Sequence, residues 1–401
     1  MDDFFVKVKK EKVKIDKEVF LSLFDLVPIK KYVAYKNALA SNEITLADLK
    51  NLAQKADIPY PLFFAPKNTI DLQIKDKDKN LFEKLPGKDE LRLGARGSIK
   101  VGDIEIIAKD LGRKQELFKK RVLPNEDDNE FIGCIAKKAK ESVSTEILAK
   151  EIREFLEIDL NHMRRISKDD VLSYLSGKAE NKNIFVSFSS HNYMPQKIDK
   201  DSGLSGICIK DKKFPYIFIN TRDGDKKPKI LETSGRQIFT VVSMLVCIAM
   251  NKFFISIKTG RLKDASLRQV FLITSEILIP KQDLVGIQIG TLEELKEEAK
   301  SFRVTPSMLL SRLRELQLIK KPLADMFRQQ LSKELAAMKP KSLRQPLPIN
   351  GYKKYNGERF SREIIRAYDA RKISLIEAKN ILFRKGRMGG NLFQEYKKKF
   401  G

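Results

Sequence analysis

The pattern of apolar and polar residues predicts helices along most of the chain. In ITLADLKNLAQKADIPYPLFF (44–64), apolar residues recur at helical spacing, Thr45 and Asp48 form a variant of the capping box, and Pro59 ends the helix. A helix, a tight turn and a second apolar segment are the outline of a helix-turn-helix. The second segment, PLFFAP, offers few side chains that could contact bases, so a small helical packing unit is the favoured interpretation.

A second helical pair is predicted in GTLEELKEEAKSFRVTPSMLLSRLRELQLI (290–319). Thr291 with Glu294 forms a capping box, and Thr305 caps the second helix ahead of a proline. This pair is the better candidate for a DNA-reading helix-turn-helix, although helices that begin in this way also serve simply to cover a neighbouring sheet. The side chains predicted to project outward from its second helix are Ser307, Arg312 and Arg314.

A strand period replaces the helical period after residue 183. The runs NIFVSFSS, SGICIKD and FPYIFINTR are short, rich in β-branched and aromatic residues, and separated by Gly, Asp and Pro, which predicts a small sheet. The apolar helix RQIFTVVSMLVCIAM (236–250) follows. After it comes DASLRQVFLITSEILIP, a helix that Pro280 ends. A further amphipathic helical pair is predicted near the C-terminus, in SREIIRAYDARKISLIEAKNIL.

The charge of the chain indicates a polyanionic partner. Its formal net charge is +25 over 401 residues, and residues 320–401 contain 21 Lys and Arg against 7 Asp and Glu. Such a basic segment is typical of proteins that bind nucleic acid through phosphate contacts. The alternative is that lysines cover every surface and the charge is incidental. The residues predicted to contact nucleic acid are Lys353, Lys354, Arg384, Lys385 and Arg387, together with Arg312 and Arg314 of the second helical pair.

The composition favours a folded cytoplasmic protein without a membrane partner. Apolar residues make up 42% of the chain and charged residues 33%, which suffices for hydrophobic cores. The three cysteines form no CxxC pair and fit a reducing compartment. The longest nearly uncharged stretch, 238–250, is shorter than the roughly 20 residues of a membrane-spanning helix. The N-terminus has no apolar region typical of an export signal.

Six segments, in order, resemble the ImmA/IrrE family of metallo-endopeptidases, phage- and plasmid-associated proteins that act on helix-turn-helix repressors. They are IPYPLFFAP, LSGICI, FPYIFINTR, RQIFTVVSMLVCIAM, LRQVFLITSEILIP and FRVTPSMLLSRLRELQLI. The resemblance implies an α+β fold that is mainly helical, with a small sheet packed on a zincin-like pair of helices. It also predicts an N-terminal helical region (1–125), a degenerate peptidase-like domain (126–320) and a basic C-terminal helical region (321–401).

The residues that would carry the family's chemistry are missing from this chain. The family binds zinc through two histidines four positions apart on a helix, with a glutamate beside the first as general base. In register, Ser243 and Cys247 stand at the histidine positions and Met244 at the glutamate position. The third ligand position falls at Leu267 and its neighbours, where there is no carboxylate. We therefore expect no metal or cofactor, and a former site that apolar side chains have closed.

Other ligands do not complete a site in these helices. The chain has two histidines, His162 and His191, and both lie outside the two helices. A polar loop residue is the favoured interpretation of His191, and a core residue that of Cys208, which lies in a predicted strand. Burying an ionised carboxylate or an unpaired imidazole without its metal would cost several kcal/mol. Apolar replacements at the ligand positions remove this cost.

Together these inferences predict a pseudo-peptidase. It would be a catalytically inactive, regulatory ImmA/IrrE-like binding module of phage or mobile-element origin, with a basic surface for nucleic acid or for a helix-turn-helix repressor. One alternative is a hydrolase with a non-standard site, such as Cys247 with a distant base. The other is a structural or assembly protein whose basic surface is incidental.

Overall fold

Buried apolar side chains form three hydrophobic clusters in the part of the chain that the computed structural model describes. One cluster belongs to the N-terminal region, and the other two lie on opposite faces of a four-stranded sheet. The fold is α+β and mainly helical, with two small mixed sheets. The described residues are 4–25, 29, 32–56, 58–72, 105–141, 143–190, 192–195, 198, 204–221, 234–253, 255–257, 265–337, 346–383 and 391–400.

The N-terminal region combines a three-stranded sheet with helices around an aromatic core. β1 pairs antiparallel with β2 and parallel with β3, so that Val6 lies opposite both Val13 and Ile44. The rings of Phe20, Phe24 and Phe63 pack against one another in the cluster beneath this sheet. The elements are β1 (Phe4–Val8), β2 (Glu11–Ile15), α1 (Lys17–Asp25), α2 (Val33–Ser41), β3 (Glu43–Thr45), α3 (Leu46–Lys55) and a 3₁₀ helix (Tyr60–Phe64).

This sheet was absent from the sequence interpretation, which predicted only helices here. The hairpin between β1 and β2 turns at Lys9, which adopts φ 56° without the Gly or Asn that usually marks such a turn. The predicted cap is confirmed, because the Thr45 hydroxyl accepts a hydrogen bond from the Asp48 amide. The second helix of the predicted helix-turn-helix is a five-residue 3₁₀ helix whose Phe63 is fully buried. It therefore packs the core.

The central sheet has the strand order β4-β6-β5-β7. β4 runs parallel to β6, and β5 runs antiparallel to both β6 and β7, so that Ile217 lies opposite Val186 on one side and Cys208 on the other. The three predicted strands are confirmed, while β7 was missed. The strands are β4 (Phe185–Phe188), β5 (Leu204–Ile209), β6 (Tyr216–Ile219) and β7 (Ile255–Ile257).

Both faces of this sheet are buried. Successive side chains of a strand point to opposite faces, so Ile217 and Ile219 join the cluster of the middle helices while Tyr216 and Phe218 join the cluster of the C-terminal helices. The middle helices are α5 (Ala136–Lys140), α6 (Thr145–Phe155), α7 (Leu160–Arg165), α8 (Lys168–Asn181), α9 (Ser234–Ala249), α10 (Ala265–Leu278), α11 (Leu292–Ser301), α12 (Pro306–Glu315) and α13 (Lys321–Ala337).

The opposite face is covered by α4 together with the C-terminal helices. Phe118, which follows α4, stacks with Phe360 and meets Phe185 and Phe214 edge-on. Residues 107–122, which the sequence assigned to the N-terminal region, thus pack with the C-terminal part of the chain. The helices are α4 (Glu105–Leu117, continued by a π-helical turn, Phe118–Val122), α14 (Pro348–Asn356), α15 (Glu358–Asp369), α16 (Leu375–Leu382) and α17 (Leu392–Phe400).

Candidate functional site

The degenerate ligand positions on α9 lie in the hydrophobic core. Met244 and Cys247 are fully buried, and Ser243 is 6% exposed. The Ser243 hydroxyl donates to the Phe239 carbonyl at 2.8 Å, and the Cys247 thiol donates to the Ser243 carbonyl at 2.8 Å. The thiol of Cys208, on β5, contacts the Met244 sulfur at 3.3 Å. These side chains therefore make hydrogen bonds within α9 and pack against β5 rather than facing a cavity.

The facing helix, α10, contributes apolar packing at the same level. The Phe271 ring packs against Phe239 of α9 with 5.7 Å between ring centroids. Leu267 is half-buried, and the neighbouring Gln269 amide donates to the Ala139 carbonyl at 2.8 Å. Among the described residues, no three His, Cys, Asp or Glu side chains lie close enough to hold a metal ion. The donor set between α9 and α10 does not fit a zinc ion.

The cysteines lack the environment of a nucleophile. Burial raises the pKa of the Cys247 thiol well above its usual value, and nearby Cys208 raises it further. Burial also raises the pKa of Cys134, to about 11. A reactive thiol needs a lowered pKa and an adjacent base. His162 lies on α7 against the Tyr174 ring, at 5.0 Å between centroids, and His191 lies outside the described residues.

Arg312, predicted to face outward from α12, is instead 2% exposed. Its guanidinium pairs with the carboxylates of Glu276 and Glu315, and its Nε donates to the Ile279 carbonyl at 3.3 Å. The prediction was wrong because helical periodicity alone does not reveal a buried acidic partner on α10.

The cap at Thr305 and the capping box of Thr291 with Glu294 are confirmed. Arg314 is half-buried.

A second buried polar network lies beneath the C-terminal helices, and no pattern in the sequence predicted it. The Lys114 ammonium, 5% exposed, donates to the Asn356 side chain at 2.8 Å and lies 3.1 Å from Asp110. Burial lowers the pKa of Lys114. The Tyr355 hydroxyl donates to Asp110 at 2.8 Å, and Tyr216 donates to the Asn356 carbonyl. This network joins α4, the central sheet and α14, so it is structural.

A cleft of about 1040 Å³ lies between α8 and α15. Its floor includes Val186 and Phe188 of the edge strand β4, and its far end reaches Ser234 and Gln237 in the first turns of α9. The α8 wall presents small and acidic residues, among them Asp169, Ser173, Ser176, Gly177 and Glu180. The opposite wall presents the cations Lys353, Lys354, Arg359, Arg362 and Arg366, with Glu358 and Glu363 between them.

Glu180 is a buried acidic residue of the cleft, and its pKa is shifted. Its carboxylate accepts a hydrogen bond from the Arg359 amide at 2.9 Å, at the start of α15, and is 5% exposed. Burial raises its pKa to about 7, which the Arg359 amide partly offsets. Gly357, whose φ is 86°, has no room for a side chain, because a Cβ added to it would lie 2.7 Å from Glu180 Oε1. Glu180 thus caps α15 and fixes it against α8.

Two of the residues predicted to contact nucleic acid lie in this cleft. Lys353 and Lys354 line it, and the Lys353 ammonium also lies 5.3 Å from the centre of the Phe400 ring. Lys399 of α17 lies 5.8 Å from the same ring and donates to Asn350, another lining residue. A cationic surface formed by α14 and α17 therefore borders the cleft. The predicted residues Arg384, Lys385 and Arg387 lie outside the described residues.

No described helix has both the length and the apolar character needed to cross a bilayer. Comparison of the chain with known protein families, with characterised proteins and with solved structures finds no match.

Proposed function

We propose that this chain is a nucleic-acid-binding module without peptidase activity, descended from an ImmA/IrrE-like metallopeptidase of phage or mobile-element origin. The observation that carries the proposal is that Lys353 and Lys354 of α14 line an open cleft, and that Lys399 of α17 donates to Asn350, another residue lining it. Ammonium groups on such a surface bind phosphates without reading sequence. The three free cysteines fit a cytoplasmic location, which is part of the proposal.

The loss of peptidase activity is supported by the packing of α9. Met244 and Cys247, at the positions of a general base and a ligand, are fully buried among apolar side chains. The contact of α9 with β5, β6 and α10 supports the correspondence with a zincin-like helix pair. The hydrolase alternative loses support because burial raises the pKa of Cys247. We expect metal analysis after refolding in zinc to find less than stoichiometric metal, and stoichiometric zinc would overturn this part of the proposal.

A salt titration tests nucleic-acid binding directly. We expect the affinity for a labelled oligonucleotide, measured by fluorescence anisotropy, to fall linearly with the logarithm of salt concentration. The double variant Lys353→Ala, Lys354→Ala should weaken binding for every sequence and reduce the salt slope by about 2, or about 1 for each lost phosphate contact.

The matched control is Lys137→Ala, Lys150→Ala, which removes the same charge from lysines that are 89% and 70% exposed on α5 and α6. If both doubles weaken binding equally, the charge acts diffusely and the structural or assembly alternative gains support. A helix-turn-helix repressor is the other partner that the resemblance implies. Failure of the wild-type protein to bind any oligonucleotide would overturn the proposal and leave that partner.

A further inference from the structure

The cleft between α8 and α15 is asymmetric in charge and in side-chain chemistry. Five cations and two carboxylates lie on the α14–α15 wall, whereas the α8 wall offers the Asp169 carboxylate and serine hydroxyls. A ligand with anionic groups along one side and neutral hydrogen-bonding groups along the other matches this arrangement. Cations bind phosphates, and carboxylates and hydroxyls accept hydrogen bonds from base amino groups.

Two cations of the α15 wall, Arg362 and Arg366, are available for exchange. Arg362 pairs with Glu358 at 3.0 Å and Arg366 with Glu363 at 2.8 Å, and their side chains are 43% and 63% exposed. Exposed ion pairs within one helix contribute little to stability. A phosphate can therefore replace the carboxylate partner, and a guanidinium binds phosphate through two parallel hydrogen bonds.

The surroundings of the cleft favour a polymer over a small molecule. Its volume of about 1040 Å³ lies at the upper end of the range of roughly 300–1000 Å³ typical of small-molecule sites, so its connection to the neighbouring surface decides the question. The cleft also continues onto the cationic surface of α14 and α17 through Asn350 and Lys353. A strand of phosphates could run from that surface along α15 without a break.

The floor supplies apolar surface for unpaired bases. Phe188 and Leu172 are partly buried, and both line the cleft. Stacking on aromatic side chains is how proteins bind single strands without sequence preference. In a duplex the bases are paired and stacked inside, so a duplex would offer only its backbone to the rim of this cleft.

We propose that the cleft between α8 and α15 binds a single-stranded nucleic acid, with phosphates along Arg362 and Arg366 and bases toward Phe188 and α8. This inference rests on the proposed function and adds to it the site and the preference for single strands. DNA and RNA share the required chemistry, so both are probes in its test.

The chain contains no tryptophan, and this provides a direct reporter. Gly177, on α8, lines the cleft, and a Cβ added there meets no described atom within 4 Å. The variant Gly177→Trp therefore places a single fluorophore in the cleft. We expect single-stranded DNA or RNA oligonucleotides to quench its emission in a saturable manner. Ile147→Trp, at a 55% exposed position on α6 that does not line the cleft, is the control and should respond little.

Anisotropy titrations complete the test. We expect the wild-type protein to bind a single strand about tenfold more tightly than a hairpin duplex of the same length, as one or two stacked bases would provide. The double variant Arg362→Ala, Arg366→Ala should lose most of this preference, while Lys137→Ala, Lys150→Ala keeps it. Circular dichroism verifies that each variant is folded.

Two results overturn the inference in different ways. If salt-sensitive binding depends on Lys353 and Lys354, but duplexes bind as tightly as single strands and the Gly177→Trp emission is unchanged, the cleft is not the site and the proposed function stands. If no oligonucleotide binds at all, both proposals fall. A response to RNA alone or to DNA alone supports the inference and identifies the natural strand.

Discussion

Helix α9 contributes to two regions of the molecule. One is the interior between α9 and α10, and the other is the cleft between α8 and α15. The first turns of α9, with Ser234 and Gln237, line the cleft, while Met244 and Cys247 two turns later are fully buried. The first region contains a segment that resembles the metal-binding helix of a peptidase, and it is filled with apolar side chains. The second region carries no recognisable motif and is open and charged. The resembling segment and the open, charged surface therefore lie in different parts of this chain.

The largest effect is expected from placing a carboxylate in the closed region. Met244→Glu places an ionisable group where the native side chain is fully buried, at a cost of several kcal/mol. Typical domains are stable by only about 5–15 kcal/mol, so urea denaturation should show a large loss or an unfolded protein. The control Met244→Leu should cost less than about 1.5 kcal/mol. A Met244→Glu variant as stable as the Met244→Leu control would mean that this interior is not closed.

The same interior tolerates charge where the charge is paired, and Arg312 tests this distinction. Arg312→Met leaves the Glu276 carboxylate without its buried partner and should lower the free energy of unfolding by about 3–5 kcal/mol. Adding Glu276→Gln removes the unpaired charge, so the double variant should recover part of the loss. Chemical denaturation of the wild type, the two single variants and the double variant gives the coupling energy between Arg312 and Glu276. A coupling near zero would contradict the buried pair.

The pH dependence of stability tests the packing of Glu180, which lines the cleft. Its pKa rises from 4.5 in the unfolded chain to about 7 in the folded protein, chiefly because of burial. Folding therefore favours the protonated form, and this contribution to stability is complete below pH 4.5 and is lost as pH rises to about 7. The loss is on the order of 3 kcal/mol.

Glu180→Gln should remove this pH dependence and keep the oxygen that accepts from the Arg359 amide. The difference in unfolding free energy between variant and wild type should thus grow in the variant's favour between pH 5 and pH 8. Taking the difference cancels carboxylates elsewhere in the protein whose pKa values are lowered, such as Glu294, which accepts hydrogen bonds from the Gly290 and Thr291 amides. A constant difference across this range would contradict the buried, protonated carboxyl.

The smallest effect compares two helical glycines, Gly177 on the α8 wall of the cleft and Gly235 in the first turn of α9. Gly177→Ala should stabilise the protein by about 0.5–1 kcal/mol, because it lies inside α8 and an added Cβ meets open space. Gly235→Ala should destabilise it, because on α9 the added Cβ would lie 2.9 Å from the Val304 backbone carbon. Thermal unfolding measures both. The same sign for the two variants would mean that the packing around them does not differ as described.

Local structure followed closely from sequence. The caps at Thr45, Thr291 and Thr305 form as their side-chain chemistry predicts, and α10 ends two residues before Pro280. The strands β4, β5 and β6 lie in their predicted segments because β-branched and aromatic runs suit a buried sheet. The hairpin of β1 and β2 escaped prediction because Lys9 provides its turn.

The sequence by itself determined these elements, since each depends on residues close together along the chain. Only the tertiary structure decided that Arg312 is buried and that Lys353 lies over the Phe400 ring. It alone decided that Glu180 caps α15 across a cleft. These contacts join residues between 36 and 179 positions apart, and no periodic pattern specifies such pairs. Their energies depend on burial, which exists only after the chain has folded.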